Sequence, residues 1–295
     1  MKIAITSDCH LQMLQQPKAE VSNFLDLVLA EKANVFCVLG DLGDGLAGYD
    51  PNYQILLGKH PTTFFVLGNH DLYRHRSRKL PPPEAFAFNL KHFPAGTALE
   101  ASWDDTETLR TIDDCVFIGS IGWPDFEHPL IRARKAHYDS SVDSYDAATI
   151  DPTYIDLTRG WLRFTSALQE AFTQRLAKAF AQPASTIIVL THYSILPSQC
   201  VLSPHDLTMW PYFFNWTMGQ EVLRLAQRYP AKRVWCFSGH SHDYCSGEVA
   251  QEAHNVFAYG HNTDYGKLRY AVFDTQTAMG SNLMTIKDLP TISHS

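Results

Sequence analysis

No apolar run in this sequence approaches the roughly 18 residues of a membrane-spanning helix, so a helical membrane anchor is not expected. The apolar start Met1-Lys2-Ile3-Ala4-Ile5 turns polar at Thr6, too soon for a signal peptide. No CxxC pair occurs among the 6 cysteines, Cys9, Cys37, Cys115, Cys200, Cys236 and Cys245. Cys37, Cys115 and Cys236 lie inside or at the start of apolar runs, where a free thiol packs as a small hydrophobe. This usage points to reduced thiols and a cytoplasmic protein. Positive charge is in deficit: 24 Lys and Arg stand against 31 Asp and Glu, a formal net charge of −7. A broad nucleic-acid-binding surface is therefore not expected. Internal repeats and low-complexity segments are also lacking.

What remains is an ordinary globular composition, 45% hydrophobic and 19% charged over 295 residues. Short apolar runs alternate with helical patterns. Residues 2–7 read as a buried strand, 20–32 as a helix with Val21, Leu25, Val28 and Leu29 on one face, and 35–39 as the next strand. A short helix near 53–57 precedes a strand at 62–67, and another helix is expected over 84–92. Residues 107–112 and 115–118, split by Asp113-Asp114, read as a hairpin. Phe164, Leu168, Phe172, Leu176 and Phe180 recur every four residues and predict a long amphipathic helix over 162–181. Strands follow at 186–190 and 234–237, with a helix over 218–229 between them. Four short runs near 246–250, 255–259, 269–274 and 283–287 have no helix between them and suggest an antiparallel flank. The alternation predicts an α/β fold with a parallel sheet and covering helices. It reads as a single domain over 1–295, interrupted by an insert at about 120–160 where regular patterning fades.

The apolar runs share one feature. Five of them end in polar, metal-competent side chains: Asp8 and His10; Asp41 and Asp44; Asn69, His70 and Asp71; His192; His240 and His242. Parallel strands would bring all five endings to one rim, the place where α/β sheets bind ligands. Imidazole mixed with carboxylate and amide oxygen suits Mn, Fe, Zn, Co or Ni better than Mg or Ca. Such a mixture fits a two-metal site, in which a bridging carboxylate holds the ions and a bridging water attacks a clamped phosphorus. A serine triad fits less well, since no GxSxG elbow occurs.

The motifs Asp8-x-His10, Gly40-Asp41-x-x-Asp44, Gly68-Asn69-His70-Asp71, His192 and Gly239-His240-x-His242 resemble, in order, the five motifs of the calcineurin-like metallophosphoesterases. The resemblance spans residues 8 to 242. It implies two mixed sheets packed as a sandwich flanked by helices. It also implies one metal on Asp8, His10 and His242, a second on Asn69, His192 and His240, and Asp41 bridging them. His70 would contact the phosphoryl group and protonate the leaving oxygen. Asp71 would orient His70, and Asp44 would support the site from behind. The ions would be two divalent transition metals, with manganese the first choice. Two positions depart from the family's usual pattern: Leu11 stands where Gly often follows the first His, and Gly45 where Arg or Asn often follows Asp44. Cys9, between two ligand positions, is expected to point into the core.

The implied reaction is hydrolysis of a small phosphomonoester or phosphodiester. A nuclease or nucleotide pyrophosphatase of the same family is the alternative within the class. A non-catalytic scaffold is the alternative outside it, though such a scaffold should lack His70 or a ligand, and all are present. The basic run Arg74, His75, Arg76, Arg78 begins three residues after Asp71 and offers phosphate recognition, with Arg74, Arg76 and Arg78 as candidate substrate contacts. The alternative is a solvated loop. The insert, with Arg132-Ala133-Arg134-Lys135 and the aromatics Trp123, Phe126, Tyr138, Tyr145 and Tyr154, is a candidate cap. Its other reading is a flap with packing duties only.

Overall fold

A strand that is apolar at every position needs cover on both faces. The computed structural model provides it. It describes residues 1–45, 51–73, 79–91, 97–125, 127, 161–200, 214–242, 247–275 and 284–288. The strands are β1 (Lys2–Thr6), β2 (Val35–Val38), β3 (Thr63–Phe65), β4 (Arg110–Ile112), β5 (Cys115–Ser120), β6 (Thr186–Thr191), β7 (Arg233–Ser238), β8 (Val249–Ala253), β9 (Val256–Gly260), β10 (Arg269–Asp274) and β11 (Met284–Asp288). They form one sheet in the order β11-β10-β1-β2-β3 and a second in the order β4-β5-β6-β7-β9-β8. β1, β2 and β3 are mutually parallel, as are β5, β6, β7 and β9. This is the expected α/β architecture of two mixed sheets, face to face.

Side-chain alternation divides the core in two. Ile3, Ile5, Val35, Cys37 and Phe64 of the first sheet meet Phe117, Ile188, Leu190, Trp235 and Phe237 of the second between the sheets. Rings cross that seam, with Phe64 to Phe117 at 5.0 Å and Trp235 to Phe273 at 4.2 Å. The intervening residues Ala4, Phe36 and Val38, and on the other sheet Val116, Ile118, Ile187 and Val189, face outward. There they pack with helices α1 (Pro17–Ala30), α2 (Pro51–Gly58), α3 (Pro82–Leu90), α4 (Trp161–Ala181) and α5 (Trp216–Arg228).

Element boundaries differ from the sequence reading where local chemistry sets them. α1 begins at Pro17, earlier than its apolar face suggests, because proline is pre-organised for the first helical turn. α3 begins the same way at Pro82. The expected hairpin is present as β4 and β5, with Asp113 left-handed at φ 49° in its turn. The expected antiparallel flank is present as two antiparallel pairs, β8 with β9 and β10 with β11, one in each sheet; β10 also joins β1 antiparallel, while β9 joins its sheet parallel to β7. β8 returns the chain along the outer side of β9, so no helix is needed for the crossover. Cys9 is fully buried, and Cys9, Cys37, Cys115, Cys200 and Cys236 are all free thiols. Trp123 is no cap residue: it is fully buried and packs edge-on to Phe164 at 5.8 Å. Phe126, Tyr138, Tyr145, Tyr154 and the 132–135 run lie outside the described residues, as do Cys245 and most of the candidate insert.

One charged pair sits in the outer core. Arg175 on α4 donates to the Leu99 carbonyl at 2.7 Å and to Glu100 Oε1 at 3.1 Å. Glu100 Oε2 accepts the Ile121 N–H at 3.1 Å, so the pair ties α4 to the chain before β4 and after β5. Both side chains are buried. Burial pushes the Glu100 carboxyl up to about 7, and the Arg175 charge opposes that rise. Removing one partner strands the other charge. Arg175→Ala should therefore destabilise the fold by about 3–5 kcal/mol in urea unfolding. A loss below about 1 kcal/mol, the range of exposed pairs, would show that the pair does not fasten α4.

Candidate metal centre

All five motif-bearing strands run into one rim. β1 leads to Asp8 and His10, β2 to Asp41, β3 to Asn69, His70 and Asp71, β6 to His192, and β7 to His240 and His242. The loops are bonded to one another: Asp8 N–H to the Gly40 carbonyl at 3.0 Å, His10 N–H to the Asp41 carbonyl at 3.0 Å, and Gly239 N–H to the His192 carbonyl at 3.0 Å. Asp8 Oδ2 accepts the His240 N–H at 3.0 Å and so joins the two sheets across the rim. Close approach dictates glycine at two positions. A Cβ on Gly68 would collide with Asp41, and one on Gly239 with Ser7 and Asp8.

The rim backbone is strained. Asp8, His10, Asp41, His240 and His242 all have left-handed φ, between 38° and 64°. Only two other described non-glycine residues share it, Lys32 and Asp113. Each such residue costs on the order of 1–3 kcal/mol and persists only where the surroundings enforce it.

Three overlapping groups of side chains result among the described residues. Asp8, His10 and His242 bring their ligand-type atoms within 4.8 Å of one another. Asp41, His192 and His240 do the same, and so do His10, Asp41 and His70. Asn69 joins the second group, its Oδ1 lying 2.9 Å from His192 Nε2 and 3.1 Å from His240 Nδ1. Asp41 belongs to the second group and the third: Oδ2 is 3.3 Å from His192 Nε2 and 3.9 Å from His10 Nε2, while Oδ1 accepts the His70 N–H at 2.9 Å. Burial lowers the His10 pKa to about 4, so its ring is neutral near pH 7. For Asp41, burial alone would raise the pKa, but the surrounding histidines, His192 foremost, hold it well below the carboxylate range. Burial likewise opposes charge on His192, but facing Asp41 raises it to about 9.

The donor set fits a divalent transition metal. His10 is fully buried, yet neither ring nitrogen has a hydrogen-bond partner among the described residues, and neither does Asp8 Oδ1. Orphaned buried donors and acceptors of this kind call for an explanation, and an ion is one. Two histidines are oriented from behind by carbonyls, His192 Nδ1 by Leu39 at 2.7 Å and His242 Nδ1 by Thr263 at 3.2 Å. A carbonyl partner puts the proton on Nδ1 and leaves Nε2 free to ligate.

Two expectations change. The carboxylate on the His70 ring is Asp44, whose Oδ1 lies 2.9 Å from Nδ1. Asp71, the expected partner, instead accepts four backbone N–H groups, from Asp41, Leu42, Gly43 and Gly68, at 2.8–3.4 Å. It staples the loop after β2 to the loop after β3. The residue after the histidine is turned into a short helix, His70–Leu72, which carries Asp71 inward. The orienting carbonyls of Leu39 and Thr263 escaped the sequence reading because a carbonyl has no residue signature. Tyr265, whose ring lies 4.5 Å from that of His10, was missed because it falls beyond the last motif. Arg74, Arg76 and Arg78 lie outside the described residues.

Two parallel-cored sheets with Asp, Asn and His gathered at one rim define the class of metallophosphoesterase folds. The family model for the calcineurin-like phosphoesterases matches residues 1–244, and the chain belongs to that family. Among solved structures, phosphopantetheinyl hydrolase from Mycobacterium tuberculosis is similar with TM-score 0.59 and 13% identity, covering 90% of each chain. A dimetal phosphatase from Danio rerio gives TM-score 0.53 and 13% identity, over 98% of this chain and 95% of that one. These likenesses concern the fold. The search of curated proteins returns no match.

Asp71→Asn provides a direct check of the staple. An amide presents one oxygen and one N–H₂ to four backbone donors, leaving buried N–H groups unpaired. The metal-free protein should lose about 1–3 kcal/mol of stability in chemical unfolding. Unchanged stability would mean that the staple is not what fixes these loops.

Proposed function

We propose that this chain is a binuclear metal-dependent phosphohydrolase acting on small phosphoesters. The observation that carries the reading is the position of Asp41, which lies with His192 and His240 on one side and with His10, a member of the other ligand group, on the other. Asp8, His10 and His242 would hold one ion, Asn69, His192 and His240 the other, and Asp41 both. Manganese is the first choice, since nitrogen and oxygen donors are mixed and no thiolate is among them. Such ions supply Lewis acidity toward phosphoryl oxygens and lower the pKa of water.

The chain's own contribution is positioning and proton transfer. Loop-to-loop bonds fix the ligands before substrate arrives, so little reorganisation is left to the reaction. His70 sits at the edge of the site, its ring 4.7 Å from that of His10. A carboxylate oxygen accepts, so the Nδ1 of His70, 2.9 Å from Asp44 Oδ1, carries the proton. Nε2 is then the atom available to the leaving oxygen. The Arg74, Arg76 and Arg78 run, three residues past Asp71, is proposed to meet substrate phosphate. A compact substrate fits the net charge of −7, which disfavours a long polyanion.

The test is the His70→Ala variant beside the wild type. Reconstituted wild-type protein should carry two ions per chain and hydrolyse nitrophenyl phosphate, bis-nitrophenyl phosphate and alkyl esters better than oligonucleotides. His70→Ala should keep both ions. Its kcat should fall on the order of 10²–10⁴-fold for alkyl esters, and less for nitrophenyl esters, whose leaving group needs no proton. Equal losses on both ester types would remove the acid role. Loss of an ion would make His70 a ligand, a role its place within 4.8 Å of His10 and Asp41 also permits. Salt-sensitive cleavage of oligonucleotides with little activity on small esters would instead favour a nuclease.

A further inference from the structure

Between β9 and β10 the chain makes a tight turn over residues 264–267. Lys267 N–H donates to the Asp264 carbonyl at 3.2 Å, Asp264 Oδ1 accepts the Tyr265 N–H at 2.8 Å, and Lys267 Nζ pairs with Asp264 Oδ2 at 2.8 Å. Gly266 takes the left-handed φ of 70° that closes the turn. The same loop supplies the Thr263 carbonyl that orients His242. It therefore carries Tyr265 at a fixed distance from the rim. The Tyr265 ring stacks on His242 at 4.3 Å with a 20° interplanar angle, and leans on His10 at 4.5 Å. His70 also lies against His10, its ring edge-on at 4.7 Å.

Although it contacts two site residues, Tyr265 is 49% exposed. The other exposed large hydrophobic among the described residues is Met13, at 55%. Met13 lies beside Gly266, the residue after Tyr265. Met13 closes the short helix Leu11–Met13 that follows His10, and a Cβ on Gly266 would lie 3.5 Å from its carbonyl oxygen and 3.9 Å from its Cβ. Two separate loops that each carry a large exposed apolar side chain thus meet beside the first ligand group. Apolar surface of this kind next to convergent polar groups marks a binding feature.

We propose that Tyr265 and Met13 form a platform for a flat aromatic group carried by the phosphoester, so that aryl-bearing esters are preferred. The inference rests on the phosphoesterase reading of the adjoining site. A tyrosine ring offers its face to another ring, and a methionine thioether packs favourably at a ring edge. With Tyr265 one imidazole away from His70, an aromatic leaving group would lie on the platform while its ester oxygen stays within the reach of the site.

Calorimetry of manganese-loaded protein with phenylphosphonate and methylphosphonate, which cannot be hydrolysed at an ester bond, tests this without turnover. The wild type should bind the phenyl compound on the order of tenfold more tightly. Tyr265→Ala should abolish that preference, Tyr265→Phe should keep it, and Met13→Ser should reduce it. Equal binding of the two phosphonates by the wild type overturns the platform. So does a preference that survives in both Tyr265→Ala and Met13→Ser. Turnover of phenyl phosphate and methyl phosphate is measured alongside. Failure to hydrolyse these monoesters and bis-nitrophenyl phosphate alike refutes the phosphoesterase reading, while the calorimetry still decides the platform.

Discussion

The Asp41 carboxylate is the constraint on which the rest of the rim depends. Its backbone N–H is held by Asp71, its Oδ1 holds the His70 N–H, and its Oδ2 faces His192 from the opposite sheet. A buried carboxylate this close to histidines is tenable only if positive charge surrounds it. A proton on His192 supplies that charge in part, and the pair holds Asp41 well below its ordinary range and His192 above its own. Our reading is that metal ions take the place of that proton in the working protein. The sandwich then acts as a frame: parallel strands from two sheets end beside each other, and what ends there is charge.

The frame also explains how strained backbone survives. Five rim residues adopt left-handed φ without glycine's freedom. Each strained residue is bonded into a neighbouring loop, or into a carboxylate that is itself bonded, as with Asp8 to Gly40 and His240 to Asp8. Behind them both sheet faces are covered, so the loops have no softer core into which to relax. The strain is confined to the residues whose side chains must converge.

Much of this was legible in the sequence, for a physical reason. A strand buried on both faces is continuously apolar, so its end is sharply marked by the first polar residues. That made Asp8, His10, Asp41, Asp44, Asn69, His70, Asp71, His192, His240 and His242 visible as a set, and the alternation of strands with helices marked the strands before them as parallel. What was not legible depends on contacts remote in the chain. The family resemblance implies that Asp71 orients His70 and that Asp44 only supports the site. The turn at His70–Leu72 instead sends Asp71 under the loops and leaves Asp44, from the preceding strand's loop, beside the ring. The parallel join of β9 to β7 was hidden similarly, because a crossover through β8 looks no different in sequence from a meander. Tyr265 lay outside every motif, and an exposed tyrosine in a turn carries no signal until its neighbours are known.

The central claim is that the two ligand groups hold two ions that share Asp41. The most direct measurement is an anomalous difference map from crystals of the full chain grown with manganese. The account predicts two peaks, one against Asp8, His10 and His242 and one against Asn69, His192 and His240, with the Asp41 carboxylate in contact with both. A single peak, or two peaks of which Asp41 touches only one, would contradict it.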